Sequence, residues 1–111
     1  MKIPRIRKRR DFLRAARTGK RAARPGLVLQ AQPVPDAPLR LGFTVTKKVG
    51  NAVVRNRMKR RLREAARIVL GDAPPPGWDL VLIGRDDTRG RDFRDLMGDL
   101  RGALRQAGVV R

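Results

Sequence analysis

Residues 39–71 read LRLGFTVTKKVGNAVVRNRMKRRLREAARIVLG and contain two segments with different hydrophobic periods. Between Leu39 and Thr46 apolar side chains alternate with polar or small ones, which predicts a half-buried strand with one polar face. Asn51 can cap a helix that runs to about Leu70, where Gly71 ends it. The apolar stripe of this helix is Val54, Met58, Leu62, Ala65 and Val69. The stretch therefore predicts a strand that leads into an amphipathic helix.

The rest of the 111-residue chain predicts two more helices and three more strands. The helices are expected over 9–17, where Phe12, Leu13 and Ala16 stand at helical spacing, and over 92–106. The strands are expected over 20–24, 27–32 and 78–84. Two Pro-rich segments, 33–38 and 73–77, are expected to form loops. The order α-β-β-β-α-β-α predicts an α+β sandwich, in which helices cover one face of a small mixed sheet of about four strands and the other face stays partly open. The length admits a single domain, which we assign to residues 1–111.

The chain is strongly basic, with 28 Lys+Arg against 10 Asp+Glu and a formal net charge of +18. Such a charge opposes compaction by self-repulsion, so it indicates a polyanionic partner, and nucleic acid is the first candidate. A genome that favours Arg codons is the alternative explanation, but it does not account for so few acids. The absence of His and Cys removes the usual general base, thiolate metal sites and disulfides, and with them most protein-only catalytic schemes.

The first ten residues, MKIPRIRKRR, are basic like the start of a signal peptide, but the apolar stretch of about 7 to 15 residues that a signal peptide needs does not follow. No apolar run approaches the length of a membrane span either. We therefore expect a cytoplasmic protein, although charge alone leaves binding to a membrane surface open.

The segment from Lys47 to Arg67 concentrates the positive charge, with nine basic residues and one acid, Glu64. On a helical wheel Arg60, Arg63 and Arg67 fall opposite the apolar stripe, whereas Arg55 and Lys59 border it on one side and Arg57 and Arg61 on the other. A solvated helix face normally mixes the two signs, because like charges four residues apart are destabilising. The imbalance therefore indicates an anionic partner along this helix.

The beginning of the same helix adds a second reason to expect phosphate binding. Unpaired N–H groups and the positive end of the helix dipole lie near Asn51, next to Lys47 and Lys48. Guanidinium groups bind phosphate in a bidentate manner, and Asn56 could contact a base edge or a 2′-hydroxyl. These residues indicate nucleic acid but do not decide between RNA and DNA.

Residues 43–67, FTVTKKVGNAVVRNRMKRRLREAAR, closely resemble the signature of the bacterial ribonuclease P proteins. The triplet Arg55-Asn56-Arg57 stands inside the pattern KxxGxAVxRNRxKR, which is long and specific. The resemblance extends over nearly the whole chain, from an early RxRxxxDF that ends in Phe12 to the last amphipathic helix.

The resemblance implies a fold like the second domain of ribosomal protein S5, with the N-terminal helix beside the open face of the sheet. It implies a protein subunit of ribonuclease P, which binds the catalytic RNA and the 5′ leader of precursor tRNA. Catalysis is then carried out by the RNA, and Mg²⁺ is bound mainly by that RNA. The protein is expected to need no further protein partner and no membrane. It is also expected to have no catalytic residue and no metal ligand of its own. By carry-over, the set that faces the RNA subunit is Arg55, Asn56, Arg57, Lys59, Arg60, Arg63 and Arg67, and the leader-binding set is Phe12, Gln30, Thr44, Thr46, Lys47 and Lys48.

Two positions depart from the family pattern, because Ala16 and Gln30 stand where members often have aromatic residues. Stacking of a base on an aromatic ring contributes about 1 to 3 kcal/mol, so leader binding here is expected to rest more on charge and hydrogen bonds. Phe12 also has an alternative interpretation as a core anchor of the first helix. The leader length, its sequence preference, the identity of any metal bound by the protein and the oligomeric state of the assembled enzyme stay open.

Three rival functions are consistent with parts of the sequence. A structural RNA-binding protein would show no preference for precursor over mature tRNA, and an architectural DNA-binding protein would prefer a duplex. A protein-only metal nuclease would need a carboxylate cluster, for which Asp92, Asp95 and Asp99 on the last helix are candidates. We favour a structural role for these acids, because two of them lie near the N-terminus of the helix, where carboxylates are stabilising.

Overall fold

The computed structural model describes residues 3–111 and contains the predicted elements in the predicted order. They are α1 (Arg9–Thr18), β1 (Lys20–Arg24), β2 (Leu27–Pro33), β3 (Arg40–Thr44), α2 (Ala52–Leu70), β4 (Trp78–Gly84) and α3 (Phe93–Gln106), with short 3₁₀ turns at Lys47–Val49 and Asp86–Thr88. Strand β3 is shorter than predicted, because the chain turns at Thr46 into the 3₁₀ turn before α2. None of the helices within residues 3–111 is long and apolar enough to cross a membrane.

The four strands form one mixed sheet in the order β1-β2-β4-β3. Strand β4 is central, antiparallel to β2 and parallel to β3. The outer edge of β3 is partly covered by the N-terminal segment, which the sequence did not predict: the Ile6 N–H donates to the Leu41 carbonyl at 2.8 Å, and the Leu41 N–H donates to Pro4 at 2.9 Å. This pairing holds the basic residues that precede α1 against the sheet.

Helices α2 and α3 cover one face of the sheet and enclose the main core. Helix α3 packs on β1 and β2, α2 packs on β3 and β4, and the two helices contact each other. Met58, Leu62 and Ala65 of the predicted α2 stripe are buried, whereas Val54 and Val69 are only half-buried. Ala66 and Leu70 are also buried, so the buried stripe follows the contact with α3 towards the end of the helix.

Helix α1 lies on the opposite face, as the resemblance implied, where Ile6, Ala15 and Val81 form a small second core. Its inward side differs from the prediction based on apolar spacing, because Leu13 is 39% exposed and Ala16 is exposed. Instead Asp11 and Ala15 are buried, and Phe12 is half-buried against the second core. The apolar spacing predicted the wrong inward face for α1, because the charged side chain of Asp11 lies on that face.

A network of ion pairs explains why a charged side chain faces inward. Asp79 on β4 is fully buried, and its two carboxylate oxygens accept hydrogen bonds from Arg40 Nε at 2.8 Å and Arg40 Nη2 at 2.7 Å. Arg40 Nη2 also lies 3.4 Å from Asp11 Oδ2, and Arg14 Nη2 lies 3.3 Å from Asp11 Oδ1 and 3.6 Å from Asp79 Oδ2. The hydrogen bonds to Asp79 raise the pKa of Arg40 above its usual value. These four residues join α1, β3 and β4, and we call them the α1 ion-pair network.

Replacing Asp79 with Asn should lower the free energy of unfolding by about 1.5 to 3 kcal/mol, the range for hydrogen bonds to charged groups. The reason is that Arg40 and Arg14 would then share a single carboxylate, that of Asp11, beneath α1. The matched control is Asp86→Asn, which neutralises an exposed acid in a 3₁₀ turn and should change the value by less than about 0.5 kcal/mol. Chemical denaturation measures both values. Equal losses of unfolding free energy for the two variants would contradict a stabilising role of Asp79 in the α1 ion-pair network.

Candidate nucleic-acid interface

Helix α2 begins with the predicted cap. The Asn51 side chain accepts a hydrogen bond from the Val54 N–H at 3.0 Å, and Gly71, with φ of 67°, ends the helix in the left-handed region. Arg55 is half-buried, and its Nη1 donates to the Gly50 carbonyl at 2.8 Å. This hydrogen bond holds the turn before α2 and occupies part of the Arg55 guanidinium group.

The solvent side of α2 presents most of the predicted set that faces the RNA subunit. Asn56, Arg57, Arg60, Arg63 and Arg67 are exposed, and Lys59 is half-buried. Arg67 forms an ion pair with Glu64, which lowers the pKa of Glu64 and raises that of Arg67. Because this pair offsets the charge of Arg67, the positive charge of this face is carried mainly by Arg57, Arg60 and Arg63. We call the exposed side of α2 the helix face.

The N-terminal segment adds a cation that sequence reasoning had not assigned to the site. The Arg5 guanidinium lies 4.7 Å from the centre of the Phe43 ring, and Arg5 lines a pocket of about 290 Å³ together with Arg63 and Arg67. Burial lowers the pKa of Arg5, and the positive charges of Arg63 and Arg7 lower it further. The RxR motif was the available signal, but only the pairing of this segment with β3 shows where Arg5 lies.

A second surface lies on the opposite face of the sheet, between α1 and β3. The Phe12 ring sits over Gly42, where an added Cβ would stand only 2.6 Å from Phe12 Cε1. Only glycine therefore allows the ring to approach the strand this closely. The ring also lines an open pocket of about 390 Å³ with Arg7, Arg9 and Thr44. Phe12 is thus both a packing residue and part of an accessible groove, and we call this the α1–β3 groove.

The other residues of the predicted leader-binding set fall into two groups. Thr44 and Gln30 lie on the face of the sheet that carries the groove, and Thr46, Lys47 and Lys48 follow the end of β3. Thr44 pairs with Ile83, and Gln30 pairs with Val81, so both point to the face on which α1 lies. Gln30 is two strands away from Thr44, a distance of about 10 Å across the sheet. Thr46, Lys47 and Lys48 are exposed and continue from the end of β3.

Two of the three candidate acids of the last helix, Asp92 and Asp99, have structural partners, and the third, Asp95, is exposed in the first turn of α3. The Asp92 carboxylate caps α3 and accepts a hydrogen bond from the Arg94 N–H at 2.9 Å. Asp99 is buried and accepts hydrogen bonds from the Gly26 N–H at 2.9 Å and from Arg91 Nε at 2.7 Å. Within residues 3–111, no group of three or more His, Cys, Asp and Glu side chains is placed to bind a metal ion. Asp92 therefore caps the first turn of α3, and Asp99 connects α3 to the β1–β2 turn.

Comparisons with known proteins agree with the resemblance seen in the sequence. Residues 1–108 match the sequence profile of the Ribonuclease P family. The chain is 62% identical over 106 residues to the ribonuclease P protein component of Gluconacetobacter diazotrophicus, covering 95% of this chain and 91% of that protein. It is 56% identical over 105 residues to that of Ruegeria pomeroyi, covering 91% and 83%.

Solved structures with the same fold are also RNase P proteins. The protein from Staphylococcus aureus superposes with a TM-score of 0.82 at 30% identity, covering 99% of this chain and 100% of that one. The protein from Thermotoga maritima gives a TM-score of 0.76 at 32% identity, covering 92% and 96%. A third similar structure, covering 93% of this chain and 86% of that one, is an S. aureus RNase P protein mutant with defective mRNA degradation activity, with a TM-score of 0.79 at 30% identity.

Binding of a folded RNA to this protein should weaken steeply with salt, because the exposed guanidinium groups displace counterions from phosphates. With about six to ten phosphates neutralised, affinity should fall roughly 10³- to 10⁵-fold between 50 and 200 mM salt. Filter binding at several salt concentrations measures the slope, and a DNA duplex of similar length serves as the control. A nearly flat titration, or tighter binding of the duplex at matched salt, would contradict an RNA interface built on charge.

Proposed function

The chain belongs to the family of bacterial ribonuclease P proteins, the protein component of a ribonucleoprotein endoribonuclease that matures the 5′ end of tRNA, and we propose that its two surfaces bind two different RNAs. The helix face binds the RNA subunit, and the α1–β3 groove binds the 5′ leader of precursor tRNA. The observation that carries this proposal is the placement of the two cationic surfaces on opposite faces of one sheet.

The helix face suits the backbone of a folded RNA. Arg57, Arg60 and Arg63 project from one rigid helix, which is fixed to the core by Met58 and Leu62. Because the guanidinium fork is planar, little freedom is lost per hydrogen bond formed, and each fork can donate two parallel hydrogen bonds to phosphate oxygens. Such contacts position an RNA by its phosphates and require little sequence information from the bases.

The α1–β3 groove suits a single strand. The exposed part of the Phe12 ring can stack on a base, and Arg7 and Arg9 lie beside it to neutralise phosphates. Ala16 and Gln30 offer no aromatic surface, so Phe12 supplies the aromatic contact from α1 and the remaining affinity comes from charge and hydrogen bonds. Lys47 and Lys48 extend the cationic path past the end of β3.

Magnesium is proposed to act within the RNA of the assembled enzyme. Mg²⁺ in proteins takes carboxylate oxygens at octahedral geometry. Here the Asp99 carboxylate is engaged by Arg91 and Gly26, and the Asp92 carboxylate is engaged by the first turn of α3, so these residues do not fit a magnesium site. We further propose that the complex acts in the cytoplasm, without a membrane or a second protein.

The direct test is reconstitution with a bacterial ribonuclease P RNA. The protein should strongly stimulate cleavage at the 5′ end of mature tRNA in a precursor substrate at near-physiological Mg²⁺, and it should not cleave without the RNA subunit. Absence of stimulation would contradict the proposal. Cleavage of RNA by highly purified protein alone would instead favour an activity of the kind named for the S. aureus relative, with Asp92→Ala as the check for an acid-dependent site.

Two variants should separate the two surfaces. The pair Arg57→Ala and Arg60→Ala should weaken binding of the RNA subunit by about 1.5 to 3 kcal/mol per residue, with little loss of folding stability because both side chains are exposed. Phe12→Ala should leave that affinity nearly unchanged and reduce the preference of the assembled enzyme for precursor over mature tRNA.

Thermal unfolding of both variants is the control, because Phe12 also packs against the second core. Normalised to the folded fraction, the loss of precursor preference should persist for Phe12→Ala. If Phe12→Ala lowers only the melting temperature, leader binding belongs to Lys47, Lys48 and the polar strand face instead.

A further inference from the structure

A second cationic pocket, of about 400 Å³, lies where α2 meets the loop between the 3₁₀ turn Asp86–Thr88 and α3. It is lined by Arg57, Met58, Arg60, Arg61 and Arg89, and we call it the Arg89 pocket. Four of these five residues are arginines, and among residues 3–111 no acid lines the pocket. Asp86 and Asp87, which precede Arg89 in the chain, line a different depression together with Gly90 and Arg91.

Arg61 is held in a fixed position in this pocket. Its Nη2 donates to the Arg91 main-chain carbonyl, and its Cζ lies 5.8 Å from the centre of the Phe93 ring. These contacts fix the Arg61 charge at the wall of the pocket.

The other arginines make the pocket favourable for an anion. Arg57 stands three and four residues before Arg60 and Arg61 on α2, so the three positive charges lie on neighbouring positions of the helix surface and repel one another. Arg89 brings a fourth charge from a different element, and its exposed side chain leaves it free to turn towards a ligand. A phosphate would relieve this repulsion and could accept hydrogen bonds from several guanidinium groups at once.

We propose that the Arg89 pocket binds a backbone phosphate of the RNA subunit, so that the interface extends from α2 onto the loop before α3. This inference rests on the proposed function. The RNA subunit is the expected source of the phosphate because Arg57 and Arg60 belong both to the pocket and to the helix face. The α1–β3 groove, by contrast, shares no residue with the pocket.

The test compares Arg89→Ala with Arg101→Ala, a matched control that removes the same charge from an exposed position in a different pocket, beside Leu104 and Val69. Arg89→Ala should weaken binding to the ribonuclease P RNA by about tenfold and reduce the salt slope by about one. Arg101→Ala should change both values much less. In a second arm, binding of precursor tRNA to the fully assembled enzyme should be the same for the wild-type chain and Arg89→Ala.

Each result decides the inference. Equal losses in the two variants would show a general charge effect and overturn it, as would a loss confined to the precursor arm. If the wild-type chain stimulates cleavage and Arg89→Ala binds the RNA subunit as tightly as the wild-type chain does, the inference fails and the proposed function stands. If the wild-type chain neither binds the RNA subunit nor stimulates cleavage, the proposed function itself fails.

A double-mutant cycle with Arg57→Ala tests whether the two residues share one phosphate. The combined loss of affinity should then be smaller than the sum of the single losses, because either substitution already weakens the common contact. Strictly additive losses would show that Arg57 and Arg89 bind separate groups, and would overturn the assignment of a single phosphate to this pocket.

Discussion

The bidentate ion pair between Arg40 and Asp79 is the contact on which the position of α1, and with it the α1–β3 groove, depends. It lies under α1, where Asp79 is fully buried and Asp11 and Arg14 complete the network. The other contacts described for α1 are apolar: Ala15 packs in the small second core, and the Phe12 ring lies on Gly42. Because the position of α1 defines one wall of the α1–β3 groove, this network controls the geometry of the proposed leader site from within the core.

Close packing against glycine adds precision to the same arrangement. Gly42 lets the Phe12 ring lie directly on β3, and Gly26 lets the Asp99 carboxylate reach the main chain of the β1–β2 turn. In each case a Cβ would stand 2.6 Å from the neighbouring side chain. The two contacts thus fix α1 on one face of the sheet and α3 on the other.

Much of the fold and of the helix face could be predicted from the sequence, because local patterns determine both. Asn51 and Gly71 mark the ends of α2, and the hydrophobic period places its arginines on the solvent side. The inward side of α1 could not be predicted, since Asp11 faces inward to pair with Arg40, a residue distant in the sequence, and such a pair leaves no periodic signal. The sequence also did not show that Arg5 lies beside Arg63, because this depends on the pairing of its segment with β3. Nor did it show that Arg55 and Arg61 donate hydrogen bonds to main-chain carbonyls, because such contacts leave no sequence pattern.

The central claim is that the two faces of the sheet bind different RNAs, and site-directed photo-crosslinking tests it most directly. The chain has no cysteine, so a single cysteine carries the probe without further changes. In the complex assembled with ribonuclease P RNA and precursor tRNA, a probe at Thr46→Cys should crosslink to the 5′ leader, and a probe at Arg63→Cys should crosslink to the RNA subunit. Crosslinks from both probes to the same RNA would contradict the division of the two faces.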